Sequence, residues 1–162
     1  MSYRLLACAM GALVLVQCSP KPAEEAAPSA SKAPDFSYDV AVTLTSAAAQ
    51  KLATRGDRLT LEALYYGNVT PATASMADPA DGTLHLNTDK VDVDPVSQTV
   101  HMTGAGVDPV KLPDITEQKP LALLNVYGSK AGKKDPVIAC AVFQDYVAVA
   151  QEKPVAIACD VK

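Results

Sequence analysis

The chain has 162 residues, a formal net charge of −4, 49% apolar residues, no Trp and two Phe. The acidic balance argues against a nucleic-acid partner, which calls for a basic face. Beyond residue 36 the length fits one domain with a modest core, built of necessity from Val, Leu, Ile, Ala and Tyr.

The chain begins with a positive charge at Arg4, an apolar run over residues 5–16, and Leu15, Val16, Gln17 and Cys18 at its end. A charged start, a short apolar run and a cleavage residue are the parts of an export signal. The run of roughly a dozen residues falls short of the 20 or so that cross a bilayer, which favours cleavage over a retained helix. Leu15, Val16 and Cys18 resemble the lipobox of bacterial lipoproteins, with Gln17 where a small residue is usual. That resemblance implies removal of residues 1–17, lipid on Cys18, and attachment to a lipid bilayer through the N-terminal acyl anchor. Ser19 stands where that family often carries Asp to mark inner-membrane retention, so the implied address is the outer membrane, facing the periplasm. The globular part is likewise similar to small β-sandwich lipoproteins of the envelope.

Four cysteines are encoded. With Cys8 in the removed part and Cys18 lipidated, Cys140 and Cys159 remain as a pair in an exported, oxidised chain. Residues 18–35 hold the lipidated cysteine and a Pro- and Ala-rich tether without a large apolar side chain. Such a segment cannot bury enough surface to offset its ordering entropy and is expected to act as a loose spacer.

Residues 36–162 read as a single domain. Val40, Val42 and Leu44 alternate with polar or small residues, as a half-buried strand does. A short helix follows, with Ser46 as expected N-cap, Arg55 in the last turn and Gly56 as the stop. Leu59, Leu61, Ala63 and Tyr65 form the next alternating set, and residues 67–81 read as a long loop. The strongest local signal is a hairpin of residues 83–93 and 98–104 around a turn from Asp94 to Ser97, with Val91 opposite Val100 and Lys90 opposite His101. Residues 121–127 read as a central strand, and residues 128–135 as a Lys-rich hairpin loop. Two matched segments close the chain, residues 137–142 and 156–161. If they are antiparallel neighbours, Cys140 faces Cys159, Ile138 meets Val161 and Val142 meets Ile157; a bridge between two packed sheets is the alternative. Residues 145–152 fit a single helical turn. The pattern predicts an all-β fold, an antiparallel β-sandwich of about seven strands with one short helix after the first strand.

No catalytic set emerges. There is no Gly-x-Ser-x-Gly elbow and no free cysteine nucleophile. His85 and His101 fall on opposite faces of the expected hairpin, which leaves His101 and Met102 as the weak metal candidates and no cofactor indicated. Tyr66 and Tyr127, with Lys130, Lys133 and Lys134, form the candidate binding surface, because adjacent tyrosines in a strand put one ring on each face and aromatic residues concentrate at interfaces. The reading is a non-enzymatic, membrane-anchored envelope lipoprotein that binds or scaffolds an envelope protein or ligand. A second reading is an inhibitor of an envelope hydrolase, a lysozyme or protease, presenting residues 67–81 or 130–135. A periplasmic metal-binding protein is the third.

Overall fold

The structure, a computed structural model, describes residues 35–162. The expected signal segment, Cys18 and the tether up to residue 34 lie outside the described residues. In chain order the elements are β1 (Tyr38–Leu44), α1 (Ser46–Arg55), β2 (Arg58–Asn68), β3 (Thr83–Val93), β4 (Gln98–Met102), β5 (Leu121–Lys130), β6 (Lys133–Asp135), β7 (Ile138–Cys140), β8 (Phe143–Tyr146), α2 (Val147–Glu152) and β9 (Val155–Val161). One sheet runs β4-β1-β9-β7; the other runs β3-β2-β5, with β6 and β8 sharing the far edge of β5.

The mostly-β, two-sheet architecture agrees with the strand pattern, and its details correct it. The described residues hold nine strands rather than about seven. Helix is not confined to one piece, since α2 and three 3-10 turns, at Ala74–Met76, Pro109–Asp114 and Thr116–Gln118, accompany α1. Nor is the pairing wholly antiparallel. β1 and β9 run parallel, with Val40 opposite Val155 and Leu44 opposite Cys159.

The expected hairpin does not form. β3 pairs with β2 along its length, whereas β4 pairs with β1 in the other sheet. The turn from Asp94 to Ser97 therefore carries the chain from one sheet to the other. It is fastened there by Ser97 Oγ, which accepts the Leu44 N–H at 2.9 Å. Alternation told which face of each strand is apolar. It could not tell which strand lies alongside, because a shared apolar face is satisfied equally by facing a partner across the core.

α1 is capped by Thr45 rather than Ser46, which is the first helical residue. The Thr45 hydroxyl accepts the Ala48 N–H and donates to Asp160 on β9, so one side chain starts the helix and ties it to the sheet. Gly56, at φ 68°, ends the helix, and Asp57 behind it is buried against Arg55.

Between the sheets lie Val40 and Val42 of β1, Leu59 and Leu61 of β2, Leu124 of β5 and Ile157 of β9. Tyr38 and Tyr65 meet across this layer edge-to-face, ring centroids 6.3 Å apart. Gly104 closes one end at φ 58°, and a Cβ there would stand 2.6 Å from the Phe36 carbonyl oxygen. Only glycine meets both demands.

The far edge of β5 is interrupted. β6 leaves it with Asp135 opposite Gly128, and β8 rejoins it with Phe143 opposite Leu124. Residues 136–142 leave the sheet in between. Pro136, which cannot donate to a ladder, marks the departure. β7 then pairs with β9 of the other sheet, Ile138 opposite Val161 and Cys140 opposite Cys159. The cysteines are joined as a cross-strand disulfide. β7 stops at Cys140, so Val142 does not reach Ile157 and is 59% exposed.

Candidate binding surface

β5 and β6 form a hairpin whose turn is two residues long. Ala131 and Gly132 lie at φ 50° and 75°. Positive φ at both central positions matches the right-handed twist of the flanking strands. Gly132 takes this conformation freely, but at Ala131 it costs about 1 kcal/mol through the Cβ. Immediately below the turn, Lys130 faces Lys133. Like charges directly opposite one another are destabilising. Lys130 Nζ donates to the Arg55 carbonyl at 3.2 Å, whereas Lys133 has no hydrogen bond or ion pair among the described residues.

The root of the hairpin is held firmly. Arg55 bridges Asp57, buried behind α1, and Asp135 at the end of β6. The hydrogen bonds it donates to these two carboxylates raise the guanidinium pKa above its ordinary value. Lys134 lies over the Tyr127 ring, Nζ 4.8 Å from its centroid, a cation–π contact worth about 0.5–1 kcal/mol at an exposed site.

Tyr127 belongs to a polar belt across the outer face of the β3-β2-β5 sheet. Its hydroxyl donates to Glu62 of β2, and Glu62 is 3.4 Å from Lys90 Nζ of β3. Burial, and then the hydrogen bond to Glu62, push the phenol up to about 12. A parallel row joins Thr60 to Asp92 and, at 2.6 Å, to Ser129.

Of the residues proposed as a binding surface, the structure brings together Tyr127, Lys130, Lys133 and Lys134 at one end of β5. Tyr66 stands apart, toward the other end of β2. Neither tyrosine offers an open ring, since Tyr66 is 7% exposed and Tyr127 8%. The Tyr66 hydroxyl accepts the Gln144 side-chain amide of β8 at 2.7 Å, just as Glu62 and Lys134 enclose Tyr127. Beside Tyr66 lies a cavity of about 230 Å³ floored by Leu64 and Leu123 and rimmed by Asp81 and Gln144. His85 Nε2 is 2.8 Å from Asp81. That contact, with hydrogen bonds from Thr83, lowers the Asp81 carboxyl to about 2.

His101 and Met102 are not brought together. Met102 is fully buried in the core, while His101, on the opposite face of β4, pairs through Nδ1 with Asp39 at 2.8 Å. His85 lies in the other sheet. Among the described residues no group of three His, Cys, Asp or Glu side chains could hold a metal ion, and no helix is long and apolar enough to cross a membrane.

Glu62, Lys90 and Gln144, which set the tyrosines, were not singled out in the sequence. The available signal was weak: a charged residue at an outward position of a strand is ordinary, and its partners are in distant strands. The chain matches no protein-family model, no curated protein and no solved structure.

Proposed function

We propose that the chain is a non-enzymatic envelope lipoprotein, anchored through Cys18, whose sandwich-like domain is a binding or scaffold module that engages an anionic partner with the β5–β6 hairpin. The address rests on the N-terminal signal and the lipobox resemblance. The observation that carries the binding role is the opposition of Lys130 and Lys133 under a turn that places Ala131 at positive φ. Two unfavourable choices fall within one short hairpin, while its root is clamped by Arg55. Strain and like-charge contacts concentrate where function requires them.

The test has two arms. Cys18→Ala should abolish incorporation of a labelled fatty acid and release the chain from the membrane fraction. The acylated chain, cross-linked in intact envelope, should give discrete adducts that vanish in Lys130→Gln/Lys133→Gln while the fold, read by circular dichroism, is kept. Unchanged adducts would remove the hairpin from the reading.

The second reading, inhibition of an envelope hydrolase, is favoured by the same clamped hairpin, because a rigid projecting loop suits insertion into a foreign active site. A stable complex with a lysozyme or protease, lost in the same double variant, would select it.

A further inference from the structure

The interrupted edge of β5 is a vacancy in the sheet. Residues 125–127 pair with β2 on one side, and on the other lie between the end of β6 and the start of β8, with no strand opposite among the described residues. An edge without a partner presents unpaired N–H and C=O groups and is a template for another strand. Elsewhere along this edge the chain supplies that strand itself. Here residues 136–142 are drawn over to the other sheet, and the Cys140–Cys159 disulfide holds them on β9. The position they leave is an open cleft of about 220 Å³.

We propose that this cleft is a strand-addition site for a short extended peptide carrying acidic residues. The inference rests on the binding-module reading and names its partner class. Main-chain pairing to residues 125–127, about 10 Å of strand at 3.3 Å per residue, supplies the common part of such recognition, and side-chain contacts supply the selectivity. Two features of the cleft set that selectivity. Val142, on its wall and 59% exposed, offers an apolar contact for one side chain of the incoming strand. Lys134 stands on the rim, with Lys130 and Lys133 beyond it in the same hairpin. Two carboxylates of the flanking strands are already engaged, Asp135 by Arg55 and Glu62 by Lys90 and the Tyr127 hydroxyl. Lys133 has no hydrogen bond or ion pair among the described residues, and neither Lys130, on the Arg55 carbonyl, nor Lys134, over the Tyr127 ring, has its charge met by a carboxylate, which favours an acidic side chain arriving from outside.

The experiment uses the full chain and three synthetic peptides: Thr-Val-Glu-Val-Glu-Thr, its Lys-for-Glu counterpart, and the Glu peptide with methylated backbone nitrogens. Hydrogen exchange, read at residue level, should show new protection within residues 125–127 on adding the Glu peptide and none with the methylated one. Fluorescence polarisation should give at least tenfold weaker binding for the Lys peptide, and Lys134→Gln should weaken the Glu peptide roughly twofold to fivefold, the range of an exposed ion pair. Binding of the Glu peptide without protection of residues 125–127 would overturn strand addition. Equal affinity for the Lys and Glu peptides would overturn the acidic assignment. Protection that rises with protein concentration alone, together with a dimer mass, would assign the slot to a second copy. Protection by phosphatidylglycerol vesicles but by no peptide would assign it to lipid, and either result overturns the proposal. Because the peptides probe the isolated chain, their failure would leave the envelope cross-linking result standing on its own.

Discussion

Lys130 and Lys133 face one another as the last cross-strand pair before a two-residue turn, with Lys134 next in the chain. A hairpin selected for stability alone would carry opposite charges there, since an opposite-charge pair contributes and a like-charge pair subtracts a few tenths of a kcal/mol to about 1 kcal/mol. Lys133→Glu should therefore raise the urea midpoint, by an amount equivalent to roughly 0.5–1 kcal/mol, while it weakens capture of an anionic partner. Gain of stability with loss of binding separates a functional charge from a structural one. A variant less stable than the parent would show that Lys133 serves the fold.

Ala131 tests the same hairpin through its backbone. At φ 50° its Cβ is strained, and glycine takes that conformation freely. Ala131→Gly should stabilise the domain by up to about 0.5 kcal/mol in equilibrium unfolding, the relief of strain exceeding the extra entropy glycine gives the unfolded chain. The root contacts from Arg55 to Asp135 and from Lys130 to the Arg55 carbonyl lie outside the turn, so exchange rates in β6 should change little. Destabilisation would mean that the turn adopts another geometry in solution.

These effects could not have been read from the sequence, although much of the scaffold could. Val40, Val42 and Leu44, and the set from Leu59 to Tyr65, declared their buried face because a period of two against one core leaves no other arrangement. The matched segments around Cys140 and Cys159 left two arrangements, and the structure takes the antiparallel one, with Ile138 opposite Val161 and the cysteines opposed. What failed is information that alternation does not contain. Val91 and Val100 point into one core from opposite sheets, and nothing local distinguishes that from hairpin partners. The cover on Tyr66 and Tyr127 is equally absent from local pattern, because the groups that supply it, Gln144 and Glu62, lie 78 and 65 residues away in sequence. The gap along β5 was equally hidden, being a property of where residues 136–142 go rather than of what they are.

The disulfide closes a loop with a sequence separation of 19, for which chain entropy gives roughly 3 kcal/mol. Cys140→Ala/Cys159→Ala should lower stability by about that amount. Its local consequence is more specific. β7 is only three residues long, and without the bridge the excursion over residues 136–142 is held by its short ladder to β9, a few flanking main-chain hydrogen bonds and the packing of Val137 and Ile138. Hydrogen exchange in the double variant should accelerate first in β7 and the start of β8, ahead of β2 and β3. Uniform acceleration would show that the bridge stabilises only by restricting the unfolded chain.

Asp81 forms an acid-sensitive contact at the opposite end of the sheet. Its carboxyl is lowered from 3.8 to about 2, chiefly by the hydrogen bond with His85 and then by the Thr83 backbone and hydroxyl. A carboxyl more acidic in the folded chain than in the unfolded one contributes stability that is fully present above about pH 4 and is lost as the pH falls through about 2. Urea midpoints measured across that window should fall more steeply for the parent than for Asp81→Asn, and the two profiles should converge near the lower limit. Above pH 4 the variant should be the less stable of the two, because it cannot accept the charge-assisted hydrogen bond from His85. Parallel profiles through the whole window would place His85 and Asp81 apart in solution, and with them the polar rim of the Tyr66 cavity.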